Sequence, residues 1–240
     1  MPTDYRIRKN AKRLSFRPKA VIFDMDGVIV DSMPYHFLAW YEALRPLGIR
    51  VTCFDIYMRE GERWEKSLGD FLKTAGLDPT KKLLLKTFRR RQRIFRSYFK
   101  RLIFSGAEDF LKCLDKRGYL LGLVTGTPLA EVKRILPERI RSMFGILVTG
   151  DRVKNGKPHP EPYVKAAQGL RVRPAECMVI ENAPLGIESA KRAGMFCIAL
   201  ATSLPQEYLE RADVVVRRLE DIFPLLEGPF PPSPLPHKQL

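Results

Sequence analysis

The sequence predicts an α/β protein: a Rossmann-like three-layer core built on a parallel sheet, with an α-helical cap domain inserted into it. Two observations carry this. Short β-rich runs alternate with longer helical stretches and no internal repeat intervenes, which is the pattern of a parallel sheet with crossover helices. One interval, from about Pro34 to Phe104, breaks that rhythm, because it is helical in pattern throughout and holds no convincing strand.

The chain has 240 residues, enough for one ordinary domain plus a modest insertion and a real core. Residues 1 to 18 form a basic arm in which Arg6, Arg8, Lys9, Lys12, Arg13 and Arg17 face only Asp4, so little packed structure is expected there. Core segments are expected at 19 to 33 and 105 to 226, with the helical insertion at 34 to 104. Strands are expected near 20 to 24, 119 to 124, 146 to 149, 177 to 181, 195 to 200 and 213 to 216. Helices near 106 to 117, 128 to 136, 160 to 169 and 184 to 193 have lengths suited to crossing over a sheet. The tail from 227 to 240 carries Pro229, Pro231, Pro232, Pro234 and Pro236, which exclude helix and central strand and predict a flexible extension.

Composition narrows the function classes. No apolar run approaches the roughly 18 to 20 residues that span a bilayer, and no signal-peptide pattern opens the chain. A soluble, cytoplasmic protein is expected. Cys53, Cys113, Cys177 and Cys197 are widely spaced with no Cys-x-x-Cys pair, so they predict buried reduced thiols rather than a zinc site or a disulfide framework. The net charge of +15 points to an anionic partner: nucleic acid, a membrane surface or a small anionic substrate. Much of it sits between Lys81 and Arg101, where ten basic residues and no acidic one are interleaved with apolar ones at helical spacing. Its apolar face should pack within the insertion and leave the arginines solvated. Steering of a phosphorylated substrate and docking on a polyanion are the sharper alternatives; no sequence-specific nucleic-acid motif is present.

In an open parallel sheet, functional groups gather beyond the carboxyl ends of the strands. The first strand ends in Asp24-Met25-Asp26-Gly27, the second in Thr125-Gly126-Thr127 and the fourth in Glu181-Asn182, while Lys157 lies in the loop Asn155-Gly156-Lys157-Pro158-His159-Pro160. Singly, each of these can be a cap, a turn or a solvated lysine. Jointly they supply the parts of phosphoryl transfer. A carboxylate, Asp24, can attack phosphorus and form an acyl phosphate. A second acid, Asp26, can protonate the leaving oxygen and then deprotonate water. Lys157, Thr125 and the Gly126 amide can neutralise the equatorial oxygens, with Thr127 beside them. Magnesium, a hard ion needing oxygen ligands, fits the side occupied by Asp24, Asp26, Glu181 and Asn182.

These residues resemble the haloacid dehalogenase-like superfamily, in its helical-cap branch of phosphosugar mutases and phosphatases. The resemblance spans roughly Lys19 to Leu219 and rests on Asp24-Met25-Asp26-Gly27-Val28-Ile29-Val30-Asp31-Ser32, Gly156-Lys157-Pro158-His159-Pro160 and Glu181-Asn182-Ala183-Pro184-Leu185-Gly186-Ile187. It implies Asp24 as nucleophile, Asp26 as acid/base that also offers its backbone carbonyl to Mg2+, Thr125 and Lys157 as phosphate binders, and a mobile cap that closes over a small phosphorylated metabolite. The second aspartate implies phosphoryl transfer, not dehalogenation.

Two departures stand out. Asn182 replaces the family's metal-ligating aspartate, so either its amide oxygen ligates or Glu181 takes more of the role. In the insertion, Glu60-Gly61-Glu62-Arg63-Trp64 puts Trp64 where the mutases grip a distal phosphate with arginine, and Arg63 stands one position away. Trp64 is then core or a substrate-facing wall, and His36 is packing. A phosphatase acting through an aspartyl-phosphate is the expected function. A phosphosugar mutase and a catalytically impaired polyanion binder are its rivals, and a monomer is favoured.

Overall fold

The computed structural model describes residues 17–226. The expected basic arm, up to residue 16, and the Pro-rich tail lie outside the described residues. Six strands, β1 (Ala20–Phe23), β2 (Leu120–Val124), β3 (Ile146–Val148), β4 (Cys177–Glu181), β5 (Phe196–Leu200) and β6 (Val214–Val216), form one sheet in the order β3-β2-β1-β4-β5-β6. Every ladder in it is parallel.

Alternation along each strand feeds two apolar layers. On one face Val21, Phe23, Met178, Ile180, Ile198 and Leu200 pack with Phe110, Leu111 and Leu114 of α5 (Ala107–Lys116) and with Val132 and Ile135 of α6 (Leu129–Ile135). On the other face Ala20, Ile22, Val179, Cys197 and Ala199 pack with Tyr163, Ala166 and Ala167 of α8 (Glu161–Gly169) and Ile187 and Ala190 of α9 (Pro184–Arg192). A sheet covered by helices on both faces must be apolar on both, and the strands are buried accordingly. The result is a three-layer, Rossmann-like α/β fold.

The strand order reverses at β1, which pairs with β2 on one side and β4 on the other. Such a switch point opens a crevice beyond the strand ends. Asp24 follows β1 directly, at that crevice.

Between β1 and β2 the chain builds α1 (Met33–Leu44), α2 (Cys53–Tyr57), α3 (Trp64–Thr74) and α4 (Lys81–Tyr98). They enclose an apolar cluster of their own, with Trp40, Leu44, Ile56, Leu68 and Leu72 buried in it. Helix α2 starts at a capping box between Thr52 and Asp55, and α4 at Thr80, whose hydroxyl accepts the Leu83 amide at 3.2 Å. The insertion leaves and rejoins the core side by side: Val30 bridges Ile103 antiparallel, the Asp31 amide donates to Leu102 and the Phe104 amide to Ile29.

Two sequence expectations need correction, on the basic helix and on the thiols. The basic helix stops at Tyr98 rather than Arg101, because Phe99 turns extended, and the Arg101 guanidinium reaches back to the Ile135 carbonyl at 3.0 Å. The helix expected over 128 to 136 forms as α6, and beyond it Pro137 opens a further short helix, α7 (Glu138–Arg141). Of the four thiols, Cys177 and Cys197 are buried, Cys113 is intermediate, and Cys53 is exposed on the first turn of α2.

Candidate active site

The turn after β1 is set by Gly27, at φ +81°, whose amide donates to the Val30 carbonyl at 2.8 Å. A Cβ there would stand 2.1 Å from the Asn182 amide nitrogen, so only glycine fits. This turn presents two buried carboxyls. Asp24 Oδ1 accepts Lys157 Nζ at 2.6 Å, and Oδ2 has no partner although it is buried. Asp26 is saturated: Oδ1 accepts Ser32 Oγ at 2.6 Å and lies 3.0 Å from His36 Nε2, while Oδ2 accepts Thr127 Oγ1 at 3.0 Å and Thr125 Oγ1 at 3.3 Å.

The environments of the two acids differ accordingly. Burial raises the Asp24 carboxyl well above the ordinary carboxylate range, with Lys157 opposing and Glu181 and Asp26 adding to the rise. Burial also works against ionisation of Asp26, but His36, Ser32 and Thr127 outweigh it and hold that group at about 2.

Lys157 Nζ bridges Asp24 and Glu181 Oε1, the latter at 2.5 Å. Burial works to lower its pKa, yet the two carboxylates raise it above the usual lysine range. Glu181 in turn accepts Tyr163 Oη at 2.8 Å and the amides of Asn182 and Ala183 at 2.8 and 3.1 Å. Both its oxygens are occupied. Asn182 differs: its Nδ2 donates to Ser203 Oγ at 2.9 Å, and its buried Oδ1 has no partner.

Unpartnered buried oxygens are costly unless something completes them. The donor set fits a hard divalent cation, which takes carboxylate, amide and carbonyl oxygens alike. It is a sparse set, and among the described residues no group of three or more His, Cys, Asp or Glu side chains is placed to hold a metal ion.

A cavity of about 330 Å³ lies where the insertion meets the strand ends, walled by Trp40, Glu60, Trp64 and Arg91 on one side and Thr125 and Lys157 on the other. Asp24 and Asp26 are 3% and 1% exposed and bond to these last two residues beneath the wall. The Gly61 turn, at φ +79°, closes on the core so tightly that a Cβ at Gly61 would meet Lys157 Cδ at 2.5 Å, and one at Gly126 would meet the Gly61 backbone at 3.3 Å. Thr125, Gly126 and Thr127 share one turn, with the Thr127 amide donating to Thr125 Oγ1 at 3.0 Å.

Arg63 and Trp64 do not behave alike. The Arg63 guanidinium donates to the carbonyls of Val153 and Lys154, at 3.1 and 2.9 Å, and so fastens the insertion to the loop carrying Lys157. Trp64 lines the cavity with its ring stacked on Phe88, centroids 3.9 Å apart.

Three residues carry more than their sequence reading. His36, expected to be packing, contacts Asp26 and stacks on Phe95 at 4.6 Å. Arg91, expected to be solvated like its neighbours, turns inward: it donates to His36 Nδ1 and lies over the rings of Trp40 and Phe95 at 5.4 and 5.1 Å. An arginine donor on Nδ1 leaves the imidazole proton on Nε2, facing Asp26. Glu60 is the third, with its carboxyl desolvated in the same cavity. Arg91 was detectable, since Leu84, Phe88, Arg91 and Phe95 share the apolar stripe of α4.

A six-stranded parallel sheet of this order, with an acid pair at its switch point, defines a Rossmann-like α/β protein with an inserted helical segment. The family model for haloacid dehalogenase-like hydrolases matches residues 18–194, and the chain belongs to that family. It is 33% identical to β-phosphoglucomutase of Bacillus subtilis, an alignment that covers 85% of this chain and 91% of that one. It is 30% identical to the phosphorylated carbohydrates phosphatase of Thermotoga maritima, over 88% of this chain and 91% of the relative. Among solved structures, β-phosphoglucomutase from Clostridium difficile superposes with a TM-score of 0.77 at 27% identity, covering 85% of this chain and 93% of that one.

Proposed function

We propose that this protein is a magnesium-dependent phosphatase that hydrolyses a small phosphorylated metabolite, a sugar phosphate or phosphoglycolate-like monoester, through an aspartyl-phosphate on Asp24. The observation that carries it is the Asp24 carboxyl: one oxygen is pinned by Lys157 and the other is buried without a partner. Lys157 orients the nucleophile and offers positive charge to the phosphoryl oxygens, with the Thr125 hydroxyl and the Gly126 amide as further donors. Attack by the Asp24 carboxylate on phosphorus breaks the ester bond, and Asp26 gives its proton to the departing oxygen. In the second half Asp26 takes a proton from water as that water displaces phosphate from Asp24. The four donors around Asp26 suit it to the base half, and protonation for the acid half requires that some of them withdraw.

Asp24 Oδ2, Asn182 Oδ1 and the Asp26 backbone carbonyl would hold magnesium, with Glu181 orienting Lys157 instead. When bound, the ion supplies positive charge at the phosphoryl oxygens. The helical insertion acts as the cap: it walls the cavity and excludes water, and its volume suits a small metabolite. Among the described residues no helix is long and apolar enough to cross a membrane.

Hydrolysis is favoured over the mutase reading by Arg63 and Trp64. A mutase holds two phosphates in turn, but Arg63 is committed to backbone carbonyls and Trp64 is an apolar wall. A screen of phosphate release from a panel of monoesters, with and without magnesium and beside Asp24→Asn, tests the proposal. Release unchanged in that variant refutes the mechanism. Conversion of β-glucose 1-phosphate to the 6-phosphate, stimulated by a sugar bisphosphate, would replace it with the mutase.

A further inference from the structure

The cavity wall carries four cations, and each is already engaged. Arg59 donates to Glu62 and Asp70, both at 2.9 Å. Arg63 holds two backbone carbonyls, and Lys157 lies between Asp24 and Glu181. Arg91 is spent on His36 and on two aromatic rings, and its Nε is left without an acceptor.

The carboxylates divide differently. Of the described acids lining the cavity, all but Glu60 have a hydrogen-bond or ion-pair partner. Glu60 has neither. It lines the cavity together with His36, Arg91 and Lys157, next to the Gly61 turn that closes on Lys157, and its charge opposes that of Arg91. An acceptor held this way is completed by hydroxyl donors of a ligand. A second phosphate would meet the carboxylate and find no uncommitted cation.

We propose that Glu60 sets the substrate class of this site: it selects monophosphate esters whose leaving group carries hydroxyl groups and rejects ligands with a second phosphate. This rests on the phosphatase reading above for what happens to the ligand, but selection itself is a matter of binding. Removing the carboxylate takes away one of the three negative charges acting on Arg91, leaving Asp26 and Glu131, which shifts the balance toward the ligand with more negative charge.

The test is calorimetric titration, in magnesium, of the full-length Asp24→Asn protein and of the same protein carrying Glu60→Gln or Glu60→Asp. The probes are a hexose 6-phosphate and the matching hexose 1,6-bisphosphate. The Asp24→Asn protein should prefer the monophosphate by about tenfold or more, and Glu60→Gln should erase about tenfold of that preference, by weaker monophosphate and stronger bisphosphate binding. Glu60→Asp, which keeps the charge, should retain most of it. A ratio that moves by less than about twofold in Glu60→Gln overturns the proposal, as does equal loss in both variants or binding of neither probe. Phosphate release by the unsubstituted protein is read separately. Its absence removes the hydrolytic reading and leaves the binding ratio to judge Glu60.

Discussion

His36 and Asp26 meet across the boundary between the helical insertion and the sheet, with Nε2 3.0 Å from Oδ1. The contact joins an acid at the end of β1 to a residue on the first turns of α1, and Arg91 on α4 fixes the ring from the far side. Insertion and acid are therefore coupled through one imidazole. Replacing His36 with glutamine should lower kcat by about ten- to a hundredfold while leaving the fold intact. With dephosphorylation of Asp24 limiting turnover, it should also move the acid limb of the kcat pH profile upward, because Asp26, the base in that half, loses part of what holds it at about 2. An unmoved limb would show that His36 only packs.

Asp24→Asn should reduce phosphate release at least about a thousandfold. Mass spectrometry after brief exposure to substrate should find a phosphoryl adduct on the unsubstituted protein and none on the variant. Thermal stability should hold or rise, since a buried carboxyl with one unpartnered oxygen becomes neutral.

Asn182→Asp adds a charge where a neutral amide oxygen now stands without a partner. Magnesium should bind about tenfold tighter by calorimetry, and Ser203 can rotate its hydroxyl to donate to the new carboxylate. Unchanged affinity would take residue 182 out of the metal site.

Gly27→Ala forces an unfavourable left-handed φ and drives a methyl into the Asn182 amide. We expect a loss of about 2 to 4 kcal/mol by urea unfolding, and a correspondingly lower Tm.

Glu161 anchors the loop before Lys157. Its carboxylate pairs with Lys165 at 2.9 Å and accepts the amides of Lys154 and Asn155, both at 2.8 Å. These donors hold its pKa at about 2, Lys165 contributing most and burial opposing. A depressed carboxylate pKa means stability that is present above the unfolded value, about 4.3, and lost as pH falls toward about 2. The Tm difference between the natural protein and Glu161→Gln should be full at pH 7, shrink below about 4.3 and vanish near about 2.

The core was legible because parallel strands buried on both faces read as unbroken apolar runs, and because Asp24, Thr125 and Glu181 each stand at or just past a strand end. What was not legible depended on contacts between distant segments. His36 looks like one more residue of an amphipathic helix until α1 is laid over Asp26. Arg91 is the partial exception: it matches Arg89, Arg90 and Arg93 in type, but its place in the apolar stripe of α4 is a signal the sequence carries, although its contact with His36 is not. Arg63 looked like a ligand group because it stands one position from where the resembling mutases grip a distal phosphate with arginine. Its actual acceptors, two backbone carbonyls some ninety residues away, leave no trace in local sequence.

The antiparallel bridge between Val30 and Ile103 has a consequence for ancestry. Because the inserted helices begin and end at adjacent points on the core, the strand pairing of the sheet does not depend on what is strung between them. Such a seam allows one lineage to exchange its helical module for another without redesigning the nucleophile, so new specificities can be acquired by swapping a part instead of rebuilding a whole.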